Sequence, residues 1–233
     1  MKTPTDLIVE RCEECGVTVD RAAAGAIAGV LDAMLEEPQN LSSVRDIDQA
    51  VWVHAVDALS GLNGPAVRGA ADIVDIGAGG GFPGLALAAA LPAVPVTLVE
   101  SERRKADWLL RASAGFPNVR VVAERSETLA RDEPAAFSVA CARAVGSLPV
   151  VMELAAPLLA PGGHLVAWRG RRDADDAAAA GVAAEELGFA PTPDIDVTPI
   201  PGVSRYFSIW RKAATTPDRY PRRPGMAAKR PIA

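Results

Sequence analysis

The stretch that most restricts this chain is DIGAGGGFPG, residues 75–84, which follows the apolar run ADIV and holds five glycines in ten positions, with a proline inside the cluster. A strand ending in so bare a turn lets the backbone reverse sharply and lets a ligand lie against main-chain atoms. The helix that follows presents N–H groups with no partners of their own. Downstream, short apolar runs alternate with helical stretches: VTLVE, a helix over 102–114, VRVVAE, FSVACAR, a helix over 147–159, GGHLVAW, and a helix over 173–187. Strands separated in this way are parallel neighbours joined by crossovers, so a doubly wound α/β sheet is predicted. DIDVTPI and RYFSIWRK leave no room for a crossover helix between them. They are expected to pair antiparallel, as a hairpin at the edge of a mostly parallel, seven-stranded, Rossmann-like sheet.

Before the glycines the spacing is helical. Ala23, Ile27, Val30, Leu31, Met34 and Leu35 recur three and four residues apart behind Asp20, a suitable N-cap, and Pro38 stops the segment. Shorter helices are predicted near 5–15 and 46–59. The chain thus divides into an N-terminal helical extension packed on the core (1–65), a sheet domain (66–213) and a basic, proline-rich tail (214–233). Its 233 residues suit one substantial domain with additions. No run approaches the roughly 18 apolar residues of a membrane span, and acids interrupt the N-terminus, unlike a secretion signal. A cytoplasmic monomer without membrane contact is expected. Cys12 and Cys15 form C-x-x-C with no second pair, and His54 and His164 are the only histidines; no metal site is expected.

The acids choose the ligand. Gly79, Gly81 and Gly84 fit G-x-G-x-x-G, which alone is weak support for a dinucleotide. Asp75, Gly77, Gly79 and Gly81 also fit D-x-G-x-G-x-G, placing a carboxylate at the strand tip where a pyrophosphate would lie, and like charges repel. A ligand with a cationic end suits that carboxylate better, and S-adenosylmethionine carries an ammonium and a sulfonium. Glu100 ends the second strand, where ribose hydroxyls need an acceptor. Glu127, or the backbone around ERSE, is placed to line an adenine pocket. These features predict a class I S-adenosylmethionine-dependent methyltransferase; a non-catalytic dinucleotide-binding protein is the alternative from the same glycines.

Net charge is -5, but its distribution is uneven. From Arg205 onward, Arg205, Arg211, Lys212, Arg219, Arg222, Arg223, Lys229 and Arg230 face Asp218 alone. Such asymmetry suits an arm for phosphates or a solvated tail. Arg103, Arg104, Lys105, Arg125, Arg222 and Arg223 are the candidates for an RNA face. A methyltransferase acting on a small metabolite would leave these bases idle. The alternate aromatics of RYFSIW fit the buried face of a strand better than base stacking.

Taken together, DIGAGGGFPGLALA, VESERRKADWL, ERSETL, ARAVGSL, NLSSVRD, HAVDAL and YPRRPGMAAKRPI resemble the RsmG (GidB) group, the bacterial guanine-N7 methyltransferases of 16S ribosomal RNA. The likeness runs from about residue 35 to the C-terminus. It departs after His54, where the family often has Asp-Ser and this chain has Asp57 and Ala58. The resemblance implies S-adenosylmethionine as cofactor, 16S RNA or the small ribosomal subunit as partner, and a loop near the decoding site as target. It implies a functional Arg143 beside the transferred methyl, and Asn40 in the substrate cleft. The expected cofactor contacts are Asp75, Gly77, Ala78, Gly79, Gly81, Phe82, Glu100, Ser101, Ser126, Glu127 and Arg143. Guanine N7 bears a lone pair and no proton, so its methylation needs no general base, which agrees with a chain that has two histidines and no Ser-His-Asp arrangement. Cys141 follows Ala140 in an apolar strand and is expected in the core, not as a nucleophile.

Overall fold

The computed structural model describes residues 2–200 and 202–233. Short apolar runs, fully buried in β1 and β2, form parallel strands: β1 (Ile73–Ile76), β2 (Val96–Val99), β3 (Val119–Val122), β4 (Phe137–Arg143) and β5 (Leu159–Arg169). Three further strands complete the sheet: β6 (Phe189–Pro191), β7 (Ile195–Ile200) and β8 (Val203–Lys212). The order is β3-β2-β1-β4-β5-β8-β6, with β7 on β8. The predicted hairpin exists as β7–β8, but β8 is an interior strand, antiparallel to β5 from His164↔Arg211 to Arg169↔Tyr206. Both β6 and β7 pair with β8 beyond it. The sheet therefore has eight strands, not seven. The extra one, β6, is three residues long and directly follows a helix that ends at Gly188 in the left-handed conformation, too short to leave a periodic signal.

Helix α2 (Arg21–Glu36) starts where its cap predicts, with Asp20 accepting from the Ala23 N–H, and α1 (Pro4–Glu14) starts at a reciprocal capping box of Thr3 and Asp6. The helix predicted near 46–59 is composite. α3 (Ile47–Ala50) widens into a π-helical stretch (Val51–Val56), then narrows through α4 (Asp57–Leu59) to a 3-10 turn (Ser60–Asn63) and α5 (Pro65–Arg68). These elements share one core with α6 (Gly84–Ala90), α7 (Arg103–Ala112) and one face of the sheet; Ile8, Leu31, Leu59, Leu85, Leu98 and Trp168 belong to it. Docking on β5 is close: a Cβ on Gly61 would come within 2.3 Å of Trp168 Cζ2.

The other face is covered by α8 (Ser126–Asp132), α9 (Leu148–Ala155), α10 (Ala174–Leu187) and the tail, which carries α11 (Met226–Lys229). Tyr220 and Ile232 are buried in this second core. Each fully buried large aliphatic side chain in these cores stabilises the fold by about 1.5–3 kcal/mol. Among the described residues no helix is long and apolar enough to cross a membrane.

Candidate functional site

At the end of β1 the backbone enters the left-handed region: Gly77 has φ 68°, and a Cβ there would sit 3.0 Å from Val145 Cγ2, just past the end of β4. Only glycine suits both conditions. Seven residues on, Gly84 lets α6 rest directly on the sheet, because a Cβ would lie 2.2 Å from Leu98 Cδ2 and 2.7 Å from Asp75 Oδ2. The Gly84 N–H donates to that same Asp75 oxygen at 2.8 Å, satisfying one of the orphan amides at the start of α6.

This corrects the expectation for Asp75. Its carboxyl is 1% exposed, lies beneath the glycine turn, and does not line the cleft. Burial pushes its pKa up to about 7. Glu100 braces the turn from the neighbouring strand: its Oε2 accepts from the Gly79 N–H (3.1 Å) and its Oε1 from the Glu102 N–H (2.7 Å). Trp108 of α7 donates to Gly80 O at 3.2 Å. Ala78 and Phe82 are buried in the same turn, with the Phe82 ring 5.6 Å from that of His54.

A cleft of about 180 Å³ opens at the carboxyl ends of the parallel strands. Its walls include Gly77 after β1, Ser101 after β2, Arg125, Ser126 and Glu127 after β3, and Val145 after β4, with Val150 and Leu154 of α9. Four expected cofactor residues, Gly77, Ser101, Ser126 and Glu127, are thus brought together. Arg125, expected on the RNA face, belongs to this wall. One part of the wall was not anticipated: Gly225, Ala227 and Ala228 of the tail belong to it, and the Gly225 N–H donates to Glu127 Oε1 at 2.7 Å. The composition fits an adenosine-bearing ligand. A backbone edge that a Cβ would close, hydroxyls and a carboxylate for polar groups, and an aliphatic floor for a flat ring are all present.

A second cavity, of about 370 Å³, lies at the carboxyl ends of β4 and β5 and is lined by His54, Asp57, Arg143, Arg169, Arg171 and Arg205 among others. Arg143 does not point freely into solvent. Its Nη1 donates to Asp57 Oδ2 (2.9 Å) and to Val53 O (3.0 Å), and its Nη2 lies 3.3 Å from His54 Nδ1. Asp57, its side chain 3% exposed, also receives Arg205 Nε on Oδ1 at 3.1 Å. Val53 and His54 both belong to the π-helical stretch, a geometry that recurs at functional sites.

Because Arg143 can only donate, His54 Nδ1 is the acceptor, and the proton resides on Nε2, which donates to Ser42 Oγ at 2.8 Å. Burial, and then the Arg143 charge, lower the His54 pKa to about 4, so the ring is neutral at physiological pH. Arg169 donates to Gly146 O (2.7 Å) and pairs with Asp176; Arg171 makes no hydrogen bond or ion pair among the described residues. Four guanidiniums therefore surround two carboxylates, and the cavity is cationic. Sequence reasoning missed Asp57, Arg169, Arg171 and Arg205 as members of a site. The signal that could have found the arginines is WRGRR, a basic run at a strand's carboxyl end.

The other expected RNA contacts are scattered. Asn40 Oδ1 accepts from Arg45 Nη2 at 2.9 Å. Arg103, Arg104 and Lys105 occupy the first turn of α7; Lys105 pairs with Glu102 (2.7 Å) and Arg103 stands 3.8 Å from Asp107. Arg222 departs from expectation: its Nε donates to Glu153 Oε1 at 2.6 Å, its Nη2 to Arg230 O at 2.7 Å, and the Glu153 side chain is 3% exposed. The bidentate pair with that buried carboxylate makes Arg222 a brace between the tail and α9. Arg223 is exposed and makes no ion pair among the described residues. Lys212 is buried on two backbone carbonyls, Leu187 O and Ala214 O. Cys141 is buried, its thiol pKa pushed up.

The profile of the GidB family, rRNA small subunit methyltransferase G, matches residues 33–191. The chain belongs to this family. The ribosomal RNA small subunit methyltransferase G of Deinococcus deserti is 36% identical to it over 98% of this chain and 96% of its own length. That of Chloroflexus aggregans is 36% identical over 97% of each. Among solved structures, the Methanococcus jannaschii fibrillarin pre-rRNA processing protein superposes with a TM-score of 0.53 at 17% identity, covering 69% of this chain and 74% of that one. The 1,6-didemethyltoxoflavin-N1-methyltransferase of Burkholderia thailandensis, solved with S-adenosylhomocysteine, gives 0.51 at 18%, covering 71% and 82%. The fold of this GidB-family chain is the doubly wound class I methyltransferase fold that the strand spacing predicted.

Proposed function

We propose that this GidB-family protein transfers a methyl group from S-adenosylmethionine to N7 of a guanine in 16S ribosomal RNA, in a loop near the decoding site, acting as a cytoplasmic monomer. The observation that carries the proposal is the pairing, on one sheet edge, of a glycine-edged cleft with a cationic cavity, the tip of β4 lying between them. Gly77, Ser101, Ser126 and Glu127, which line the cleft, would hold the cofactor, and Ala78, Gly79, Gly81, Phe82 and Glu100 would shape the turn beside them. When bound, S-adenosylmethionine supplies an electrophilic methyl on a sulfonium.

The chain's own residues orient the acceptor. N7 has no proton to lose, and no side chain here is poised to take one: His54 already directs its lone pair at Arg143. Catalysis by position then suffices, since alignment alone can supply about 7–11 kcal/mol. Arg143 is fixed by Asp57 and Val53 O on one nitrogen and by His54 on the other, so its direction does not depend on the substrate. It acts on phosphate, not on guanine O6, because a cation on O6 withdraws electron density from N7. Arg171 reaches the same strand of RNA. Arg103, Arg104 and Lys105 support this reading, since three cations at a helix N-terminus oppose the helix dipole by about 0.3–1 kcal/mol each and need a reason outside the helix.

The test is transfer of a labelled methyl to small ribosomal subunits that lack the modification. Label recovered as 7-methylguanosine at one 16S position is expected. Label on another atom, or none on RNA, overturns the proposal.

A further inference from the structure

By charge the tail suits an arm for phosphates or a solvated tail, yet its middle is built into the cleft. Arg222 neutralises Glu153 of α9, Arg131 Nη2 donates to Arg222 O at 3.2 Å, and Tyr220 and Ile232 are buried on either side. Between these anchors, the Gly225 N–H meets Glu127 Oε1, and Gly225, Ala227 and Ala228 line the same cavity as Gly77 and Ser101. Glu127 is the residue assigned above to the nucleoside, so the tail and the ligand share one carboxylate and one cavity. A volume of about 180 Å³ is also below the roughly 300–1,000 Å³ of ordinary small-molecule sites. The tail therefore lies where it must touch whatever occupies the cleft.

We propose that residues 220–230 are part of the cofactor site: a strap that closes over the nucleoside end and retains it. This rests on the cofactor reading above. Two sites that share a wall are linked reciprocally, so the ligand must hold the strap down by the factor with which the strap holds the ligand. Gly225 offers a lever on the strap alone. Its φ is 80°, a conformation that a β-branched residue resists and asparagine tolerates, and a Cβ there meets nothing within 4 Å. Substitution acts through backbone conformation and not by collision.

The experiment is calorimetric binding of S-adenosylhomocysteine to the full chain, to a chain lacking residues 225–233, to Gly225→Val and to Gly225→Asn. Truncation is expected to weaken binding about tenfold or more, within the usual range of coupling. Gly225→Val should weaken it by about threefold to tenfold, and Gly225→Asn, which tolerates the left-handed conformation, should weaken it less than Gly225→Val. The truncated chain keeps Arg222 and Glu153, and Gly225→Val tests the strap if the truncated chain does not fold. In the full chain, saturating S-adenosylhomocysteine should slow tryptic cleavage after Lys229 by a similar factor. Equal affinities in all four chains, or tighter binding after truncation, overturn the strap while leaving the cofactor reading intact. Failure of the full chain to bind overturns both.

Discussion

The two cavities at the carboxyl edge of the sheet are held open by opposite means. Around the cleft and in the glycine turn beside it, acids are occupied by backbone amides: Asp75 on Gly84, Glu100 on Gly79 and Glu102, Glu127 on Gly225. In the cavity beyond β4, acids are occupied by guanidiniums, with Asp57 between Arg143 and Arg205 and Asp176 on Arg169. Amide donors are short and bolted to the main chain, so the first site is a rigid mould whose shape does not respond to salt. Guanidiniums on long side chains keep a net positive field, so the second site attracts polyanions and responds to salt. One fold edge thus offers a shape-selective site for a small ligand beside a charge-selective site for a large one.

Removing Asp57 should strain this contrast most. Asp57→Ala leaves two guanidiniums facing each other in a largely buried site, and a loss of about 3–5 kcal/mol in unfolding free energy is expected from urea titration. A loss under about 1 kcal/mol would show that the cavity is not held by that charge. Next, Arg143→Ala should lower methylation of ribosomal subunits by about 100-fold while changing S-adenosylhomocysteine affinity by less than about threefold. Equal losses in both would merge the two sites into one.

Asp75 sharpens the cleft side. Its pKa is raised from the ordinary carboxylate range to about 7 in the folded protein, so the folded state binds the extra proton. The stability this contributes is complete below about pH 4 and is lost as pH climbs to 7. Asp75→Asn should therefore abolish a fall on the order of 2 kcal/mol between pH 5 and pH 8, read by thermal or urea unfolding at each pH. A wild-type protein equally stable at both pH values would contradict the burial argument. The smallest effect separates free from engaged bases: Arg171→Ala should reduce the salt slope of RNA binding by about one unit, and Arg222→Ala should leave it unchanged.

Local chemistry made much of this molecule legible. The N-cap at Asp20, the turn after β1 and the parallel run of β1 to β5 all depend on residues a few positions apart, where spacing and glycine content carry the information. Arg143 at the end of β4 and Ser126 and Glu127 after β3 could be placed for the same reason, since a strand's carboxyl end is a local position. The π-helical stretch left no signal, because its period differs from an α-helix over only six residues. Nor did α8, seven residues long behind ERSE, stand out as a helix.

By itself, then, the sequence determined the five parallel strands and most of the helices between them, the bare turn and the chemical type of residue at each strand tip, all of which follow from backbone conformation and short-range periodicity. Only the tertiary structure decided which charges remain available. Asp57 meets Arg143 across 86 positions and Arg205 across 148, Glu153 captures Arg222 across 69, and the tail closes on Glu127 across 98. A guanidinium's role depends on which carboxylate is folded against it, and desolvation makes that pairing compulsory only once both are buried.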